Sequence, residues 1–322
     1  MEIWSNAKFP PETMDRLRAG LGQHKLIQAA GASAVNLDAG KPDPALEQAQ
    51  IAFGQPDPKQ IIQCPRLRWV QLTTAGYTRY DTPGFRDAMK RNGTIICNAS
   101  SVYSEPCAQH ALAMMLAFAR RLPQSLDNQR VSRGWPYLPL RAESKLLNGQ
   151  TVLLVGYGAI ARRLAQLLAP FEMNRIGFRR RPQGDDNGVR ILPIDQLDDW
   201  LGKADHVINM LPASDQTVDF FNMDRFAKLK RESFYYNLGR GSTNDETALR
   251  TALEVGHFTA AYIDAFCDEP LPTHHSLWNT PNCFVTPHTA GGHATEFERH
   301  VDLFLANLKR FESGGDLVDR IM

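Results

Sequence analysis

Short apolar, β-branched runs alternate with longer stretches whose apolar residues recur at helical spacing. Before residue 100, "KLIQA" (25–29), "QIAFG" (50–54), "WVQLTT" (69–74) and "TIICN" (94–98) read as strands. "PPETMDRLRAGL" (10–21) and "PGFRDAMKRN" (83–92) read as helices between and after them. Such alternation predicts a parallel sheet covered by helices. A long helix is expected over 104–121, with Ser104 as its N-cap and Pro106 in its first turn. Residues 122–149 show no period and read as irregular. A second alternation supplies six strands: "TVLLVG", "NRIGF", "HVINML", "SFYYNL", "TAAYID" and "CFVTP". Six is the count of one doubly wound nucleotide-binding sheet. The chain closes on a helix-like stretch, "ATEFERHVDLFLANLKRFES" (294–313).

The fold expected is therefore α/β, with two Rossmann-like or flavodoxin-like parallel-sheet domains. The nucleotide-binding one spans 102–288 and is doubly wound. The other takes 1–101 and, with the closing helix packed back on it, 289–322, which makes it discontinuous. A chain of 322 residues has room for two such cores. Its formal net charge of +1 gives no overall field to draw in nucleic acid or an anionic membrane, so neither partner is expected. The five cysteines (Cys64, Cys97, Cys107, Cys267, Cys283) are odd in number, widely spaced and without a C-x-x-C. Reduced thiols, mostly small buried residues, in a cytoplasmic protein are the expectation. The N-terminus lacks a signal-like segment, and the longest apolar run, 111–119, is far short of a bilayer span.

"GYGAIA" supplies Gly156, Gly158 and Ala161 as a G-x-G-x-x-A fingerprint between an apolar strand and a helix-like run. Gly156 suits the tight turn, Gly158 the approach of a pyrophosphate to the backbone, and Ala161 close helix–strand packing. Near the end of the next strand, where NAD sites place an acid on the ribose 2′-hydroxyl, stand Arg179, Arg180 and Arg181. Arginines there suit a 2′-phosphate, so NADP(H) is the preferred cofactor and NAD(H) the lesser one. Arg179 and Arg180 are the expected pair, with Arg181 toward solvent. A solvated basic turn is the bland alternative.

Further stretches fall in an ordered series: "LTTAGYTRYD", "INMLPASDQT", "NLGRGSTNDETAL", "AYIDAFCDEPLP" and "VTPHTAGGHAT". With the fingerprint they resemble the D-isomer-specific 2-hydroxyacid dehydrogenases, glyoxylate/hydroxypyruvate reductases among them, from about Phe53 to the tail. The residues also make chemical sense alone. Reducing a 2-oxo acid needs a cation for the carboxylate and a proton for the carbonyl oxygen. Arg240 offers a planar fork, and His288 an imidazole whose ordinary pKa lies nearest neutrality. Glu269 would favour the imidazolium and fix the ring. The resemblance implies these same three catalytic roles.

It implies others. Ala75 and Gly76 would present backbone N–H groups to the substrate carboxylate, alongside Arg240 and His288. Tyr157, Ala159 and Ile160 would line the pyrophosphate, and Leu211, Pro212 and Thr217 the cofactor's central stretch. Leu238 and Gly239 join the cofactor-binding set, and Asp264 would meet the nicotinamide carboxamide. Thr217 could equally be a helix cap. In this family the segment carrying Trp135 reaches across a homodimer; Trp135 as a core anchor is the alternative. Phe53, Tyr77 and Tyr103 would narrow the substrate pocket or simply fill core. Three features depart from the family: Ala161 where glycine is frequent, Asn244 where valine is common, and no long regulatory extension of the kind some phosphoglycerate dehydrogenases carry. The expected function is NADPH-dependent reduction of a small 2-oxo acid to the D-2-hydroxy acid. Its rivals are a dinucleotide-sensing corepressor on the same fold and a phosphoglycerate, formate or phosphite dehydrogenase. The scattered histidines, His274, His275, His288 and His293, lack metal-ligand spacing, so no metal is expected.

Overall fold

A computed structural model describes residues 1–33, 40–182 and 184–322. The chain forms two compact units: Met1–Tyr103 with Gly292–Met322 (unit 1), and Ser104–Gly291 (unit 2).

Unit 1 holds a five-stranded parallel sheet, β1 (Glu2–Ala7), β2 (Lys25–Ser33), β3 (Ile51–Gly54), β4 (Trp69–Leu72) and β5 (Ile95–Cys97), in the order β2-β1-β3-β4-β5. This is the flavodoxin-like order. Helices α1 (Pro11–Gly20), α2 (Pro58–Gln63) and α3 (Pro83–Asn92) connect the strands. Strands β3 and β4 are wholly buried, as a sheet covered on both faces requires. The sequence pattern shows four of these strands and misses β1. There the polar Ser5 and Asn6 interrupt the apolar run, yet both are buried. Asn6 is satisfied in both directions: its Nδ2 donates to Gln55 O (2.9 Å), and its Oδ1 accepts from Gln55 N (2.8 Å). One face of the sheet is closed by the chain's last helix. Its Phe304 stacks on Phe53 (4.3 Å between ring centroids) and on Trp69 (5.1 Å). Phe53, fully buried in this stack, is core and does not line a pocket.

Unit 2 holds seven parallel strands: β6 (Thr151–Val155), β7 (Asn174–Arg179), β8 (Arg190–Pro193), β9 (His206–Asn209), β10 (Phe234–Asn237), β11 (Ala260–Ile263) and β12 (Cys283–Val285). Their order is β12-β11-β10-β9-β6-β7-β8, so winding reverses between β6 and β9. That reversal makes the sheet doubly wound and puts a ligand crevice at the C-terminal strand ends beside β6. The seventh strand, β8, pairs only with β7, at the sheet edge.

Helix α4 runs Ser100–Ala119, a turn earlier than expected, so Pro106 lies inside it and Ser104 is no cap. The added turn is anchored from outside the local sequence: Ser100 N donates to Asn98 Oδ1 (3.2 Å) and Ser101 N to Asp319 Oδ2 (2.8 Å). The stretch expected to be irregular contains two helices, α5 (Leu122–Arg130) and α6 (Tyr137–Glu143), neither with a buried residue. Trp135 between them is 91% exposed and anchors no core. Unit 2 also has α7 (Ala159–Leu168), α8 (Asp198–Leu201), α9 (Met223–Ala227) and α10 (Glu246–Glu254); α11 (Glu296–Glu312) completes unit 1. No helix among the described residues is long and apolar enough to cross a membrane.

Candidate active site

In a parallel sheet all strands end on one edge, and the candidate residues of unit 2 sit on that edge. Gly156 to Ile160 follow β6, Arg179 and Arg180 close β7, Leu211 and Pro212 follow β9, and Leu238 to Arg240 follow β10. Asp264 follows β11, and His288 follows β12.

Three of these loops interlock through glycine. Gly156 has φ +90°, and a Cβ on it would lie 2.8 Å from the Met210 carbonyl. A Cβ on Gly239 would lie 2.6 Å from Leu211 O. No other residue allows this approach of backbone to backbone. Gly158 is the N-cap of α7, and a Cβ on it would meet only Gly156 O, at an ordinary 3.9 Å. The first N–H groups of a helix have no partner within it, so those of Ala159 and Ile160 are available, with the helix dipole behind them. Ala161 is fully buried where α7 meets the sheet. This cradle fits the pyrophosphate of a dinucleotide. Tyr157 beside it is tied to the neighbouring strand: its amide donates to Phe178 O (2.8 Å), its ring packs against Gly177, and its hydroxyl meets Asp186 Oδ2 (3.2 Å). The side chain thus braces β7. Thr217 is likewise committed to its own turn, accepting from Ser214 N (2.8 Å) and donating to Pro212 O (2.7 Å). It caps no helix.

The arginine run straddles the end of β7. Arg180 is exposed and reaches Gln216 Oε1 (3.3 Å) in the loop after β9. Arg179 is half-buried, and among the described residues its side chain makes no ion pair.

At the other flank, His288 Nδ1 and Glu269 Oε2 stand 2.7 Å apart, which fixes the ring and turns Nε2 away from the carboxylate. Glu269 is itself held, its Oε1 accepting from Phe266 N (2.9 Å). His288 has φ +52°, a left-handed conformation uncommon outside glycine. Arg240 is half-buried, and the one hydrogen bond of its side chain among the described residues runs from Nη1 to Gly239 O (2.8 Å). Burial lowers its pKa from the usual arginine value, and the charge of Glu269 opposes that shift. A guanidinium with most of its donors idle, held out of full solvation, is a receptor for an anion.

Asp264 is held from within the protein. Its carboxylate is 3% exposed and already accepts from Thr286 Oγ1 (2.5 Å), Thr289 N (2.9 Å) and Ala290 N (3.0 Å). These bonds face the loop of His288, and the carboxylate serves that loop. In unit 1, the loop after β4 turns its carbonyls inward: Ala75 O accepts from Asn98 Nδ2 and Gly76 O from Thr74 Oγ1, both at 2.7 Å. The amides of Ala75 and Gly76 have no hydrogen-bond partner among the described residues. Tyr103 there donates to Thr73 O (3.0 Å) and contacts Glu296 and His300, bracing the same loop. Tyr77 packs against the unit 1 core.

Residues 112–290 match the family model of the NAD-binding domain of D-isomer-specific 2-hydroxyacid dehydrogenases. The chain belongs to this family. With it comes the enzyme class, an NAD(P)-dependent dehydrogenase. Glyoxylate/hydroxypyruvate reductase A of Photorhabdus laumondii is 32% identical over 206 residues, an alignment covering 64% of each chain and so just under two thirds of that protein. Glyoxylate/hydroxypyruvate reductase B of Escherichia fergusonii is 30% identical, over 76% of this chain and 74% of its own. Among solved structures, a D-isomer-specific 2-hydroxyacid dehydrogenase from Xanthobacter autotrophicus, in complex with NADPH and MES, superposes with a TM-score of 0.80 at 25% identity, covering 100% of this chain and 97% of its own.

In this dehydrogenase several site residues carry no sequence signal. Gln216 lies in a polar loop, and Thr286 precedes His288 without a motif of its own. Asn244, the departure from valine, is buried and accepts from Tyr235 Oη (2.5 Å) and Asn209 Nδ2 (3.2 Å). The same Asn209 donates to Thr243 Oγ1 (2.8 Å), which donates in turn to Arg240 O (2.6 Å). Asn244 thus belongs to the buried polar group under the Arg240 loop.

Proposed function

We propose that this dehydrogenase reduces a small 2-oxo acid of the glyoxylate or hydroxypyruvate class to the D-2-hydroxy acid, preferring NADPH. The observation that carries the reading is Arg240: a half-buried guanidinium with idle donors, electrostatically coupled to Glu269 of the His288–Glu269 pair. Arg240 would hold the substrate carboxylate and polarise the adjacent carbonyl. His288 Nε2 would deliver a proton to the carbonyl oxygen, with Glu269 holding the ring to aim it. The amides of Ala75 and Gly76 suit a carboxylate as well. A bound NAD(P)H supplies the hydride. Gly156, Gly158 and the first turn of α7 would hold its pyrophosphate, with Leu211, Pro212, Leu238 and Gly239 beside its central stretch. Arg179 and Arg180 would pair with a 2′-phosphate, and the Xanthobacter relative's NADPH complex supports that choice. The relatives named for glyoxylate and hydroxypyruvate support the substrate class.

We also propose a homodimer built on α5 and α6. Val131, Trp135 and Leu138 are 83%, 91% and 72% exposed in one segment that buries nothing in its own chain. Apolar side chains gathered in that way mark an interface.

The test is steady-state turnover of glyoxylate, hydroxypyruvate and phosphohydroxypyruvate with NADPH and with NADH. Arg240→Ala should remove turnover while the folded protein still binds cofactor. Near-normal activity in that variant would sink the assignment, and so would an intact parent inert toward the whole panel.

A further inference from the structure

We propose that Tyr262 and His110 are positioning residues for His288, forming with Thr286 and Asp264 a one-way chain of hydrogen bonds that clamps the segment carrying it. The proposal rests on reading His288 as the proton donor.

The clamp starts from the backbone of His288. A left-handed conformation in a non-glycine residue persists only where its surroundings over-determine it. Here the residues on both sides of His288 are tied to one carboxylate: Thr286 through its hydroxyl, Thr289 and Ala290 through their amides. The N–H of His288 donates to Thr286 O (2.9 Å), closing the turn. Asp264 therefore spans the strained residue.

What holds Asp264 and Thr286 in register lies further back. Tyr262, on β11 and 1% exposed, places its hydroxyl against Thr286 Oγ1 and 2.6 Å from His110 Nε2 on α4. The rings of Tyr262 and His110 also stack, with centroids 5.4 Å apart. Counting protons orients the chain. A threonine hydroxyl has one hydrogen, and that of Thr286 is committed to Asp264. The close contact with Tyr262 then needs the phenol's hydrogen. That leaves the phenol oxygen as acceptor toward His110, so His110 Nε2 must carry a proton. The order is His110 to Tyr262 to Thr286 to Asp264, each donating to the next. Burial, with the charge of Asp264 second, pushes the Tyr262 phenol pKa up and keeps it a donor. Neutral His110 protonated on Nε2 and the imidazolium both satisfy the chain.

Tyr262→Phe removes the hydroxyl and keeps the ring. We expect kcat to fall about tenfold through misplacement of His288, with both KM values within about twofold. Amide hydrogen exchange at Thr289 and Ala290 should speed up about tenfold or more, without cofactor or substrate present. His110→Gln can still donate and should stay near the parent, whereas His110→Leu should behave like Tyr262→Phe. Unchanged kcat and unchanged exchange in Tyr262→Phe would overturn the clamp. Equal impairment of His110→Gln and His110→Leu would overturn the proton order. Should the parent reduce no 2-oxo acid while Tyr262→Phe still speeds exchange at Thr289 and Ala290, the clamp stands and the reaction assignment falls.

Discussion

Arg179 and Arg180 differ in what the fold asks of them. Arg180 is exposed and drawn toward Gln216; Arg179 is half-buried at the strand end. A charge-assisted hydrogen bond is worth about 1.5–3 kcal/mol, so losing one should lower the NADPH/NADH ratio of kcat/KM by about 10- to 100-fold. Arg179→Asp is expected to do at least that, by adding repulsion to the lost bond. Comparing both cofactors on parent and variant checks it, and a parent that uses NADH equally well refutes the preference. At this scale the sequence shows residue types at strand ends well. Glycines and charged residues there have few other reasons to be present. It does not show which way a side chain turns. Tyr157 and Asp264 lie where a cofactor residue should, yet each spends its polar atoms inside the protein.

At the scale of elements, what the pattern hides has physical causes. Strand β1 carries buried Ser5 and Asn6, and the partner that satisfies Asn6, Gln55, is distant in sequence. Edge strand β8 opens on exposed Arg190 and ends on Pro193, so it looks like loop. Helices α5 and α6 bury nothing and so have no period to read. Helix α4 begins early because Asp319 holds its first turn. Strand β9 carries a hidden liability of its own. His206 is fully buried, with Nε2 2.7 Å from Gln150 Oε1 and Nδ1 3.0 Å from Tyr236 Oη, and burial depresses its pKa to about 3. The unfolded chain takes up a proton near pH 6.5 that the fold refuses. The stability from keeping His206 neutral is complete above about pH 6.5 and is lost as pH falls toward 3. Asp198, Asp205 and Glu296, whose pKa values are lowered, lose their contributions only below about pH 4. Between pH 7 and pH 5, His206 should therefore cost about 2 kcal/mol. Urea unfolding at the two pH values should show a smaller difference in His206→Gln; the same difference in both proteins would count against it.

The whole molecule is two units, one of them assembled from both ends of the chain. If α5 and α6 form the dimer contact, Trp135→Asp should shift the protein toward monomer in analytical ultracentrifugation, with its fold intact because Trp135 supports no core. An unchanged sedimentation coefficient for the variant would place the interface elsewhere. The position of Phe304 has a consequence for synthesis on the ribosome. Phe53 and Trp69 are made early, but the ring that stacks on both belongs to the last helix. All of unit 2 must be translated first. At roughly 5–20 residues per second, one face of the first sheet, packed by Phe9 and α1, waits for about ten seconds or longer for the ring that stacks on Phe53 and Trp69. For that interval the nascent chain is a client for any chaperone that binds apolar surface, and completion of unit 1 falls to its final thirty or so residues.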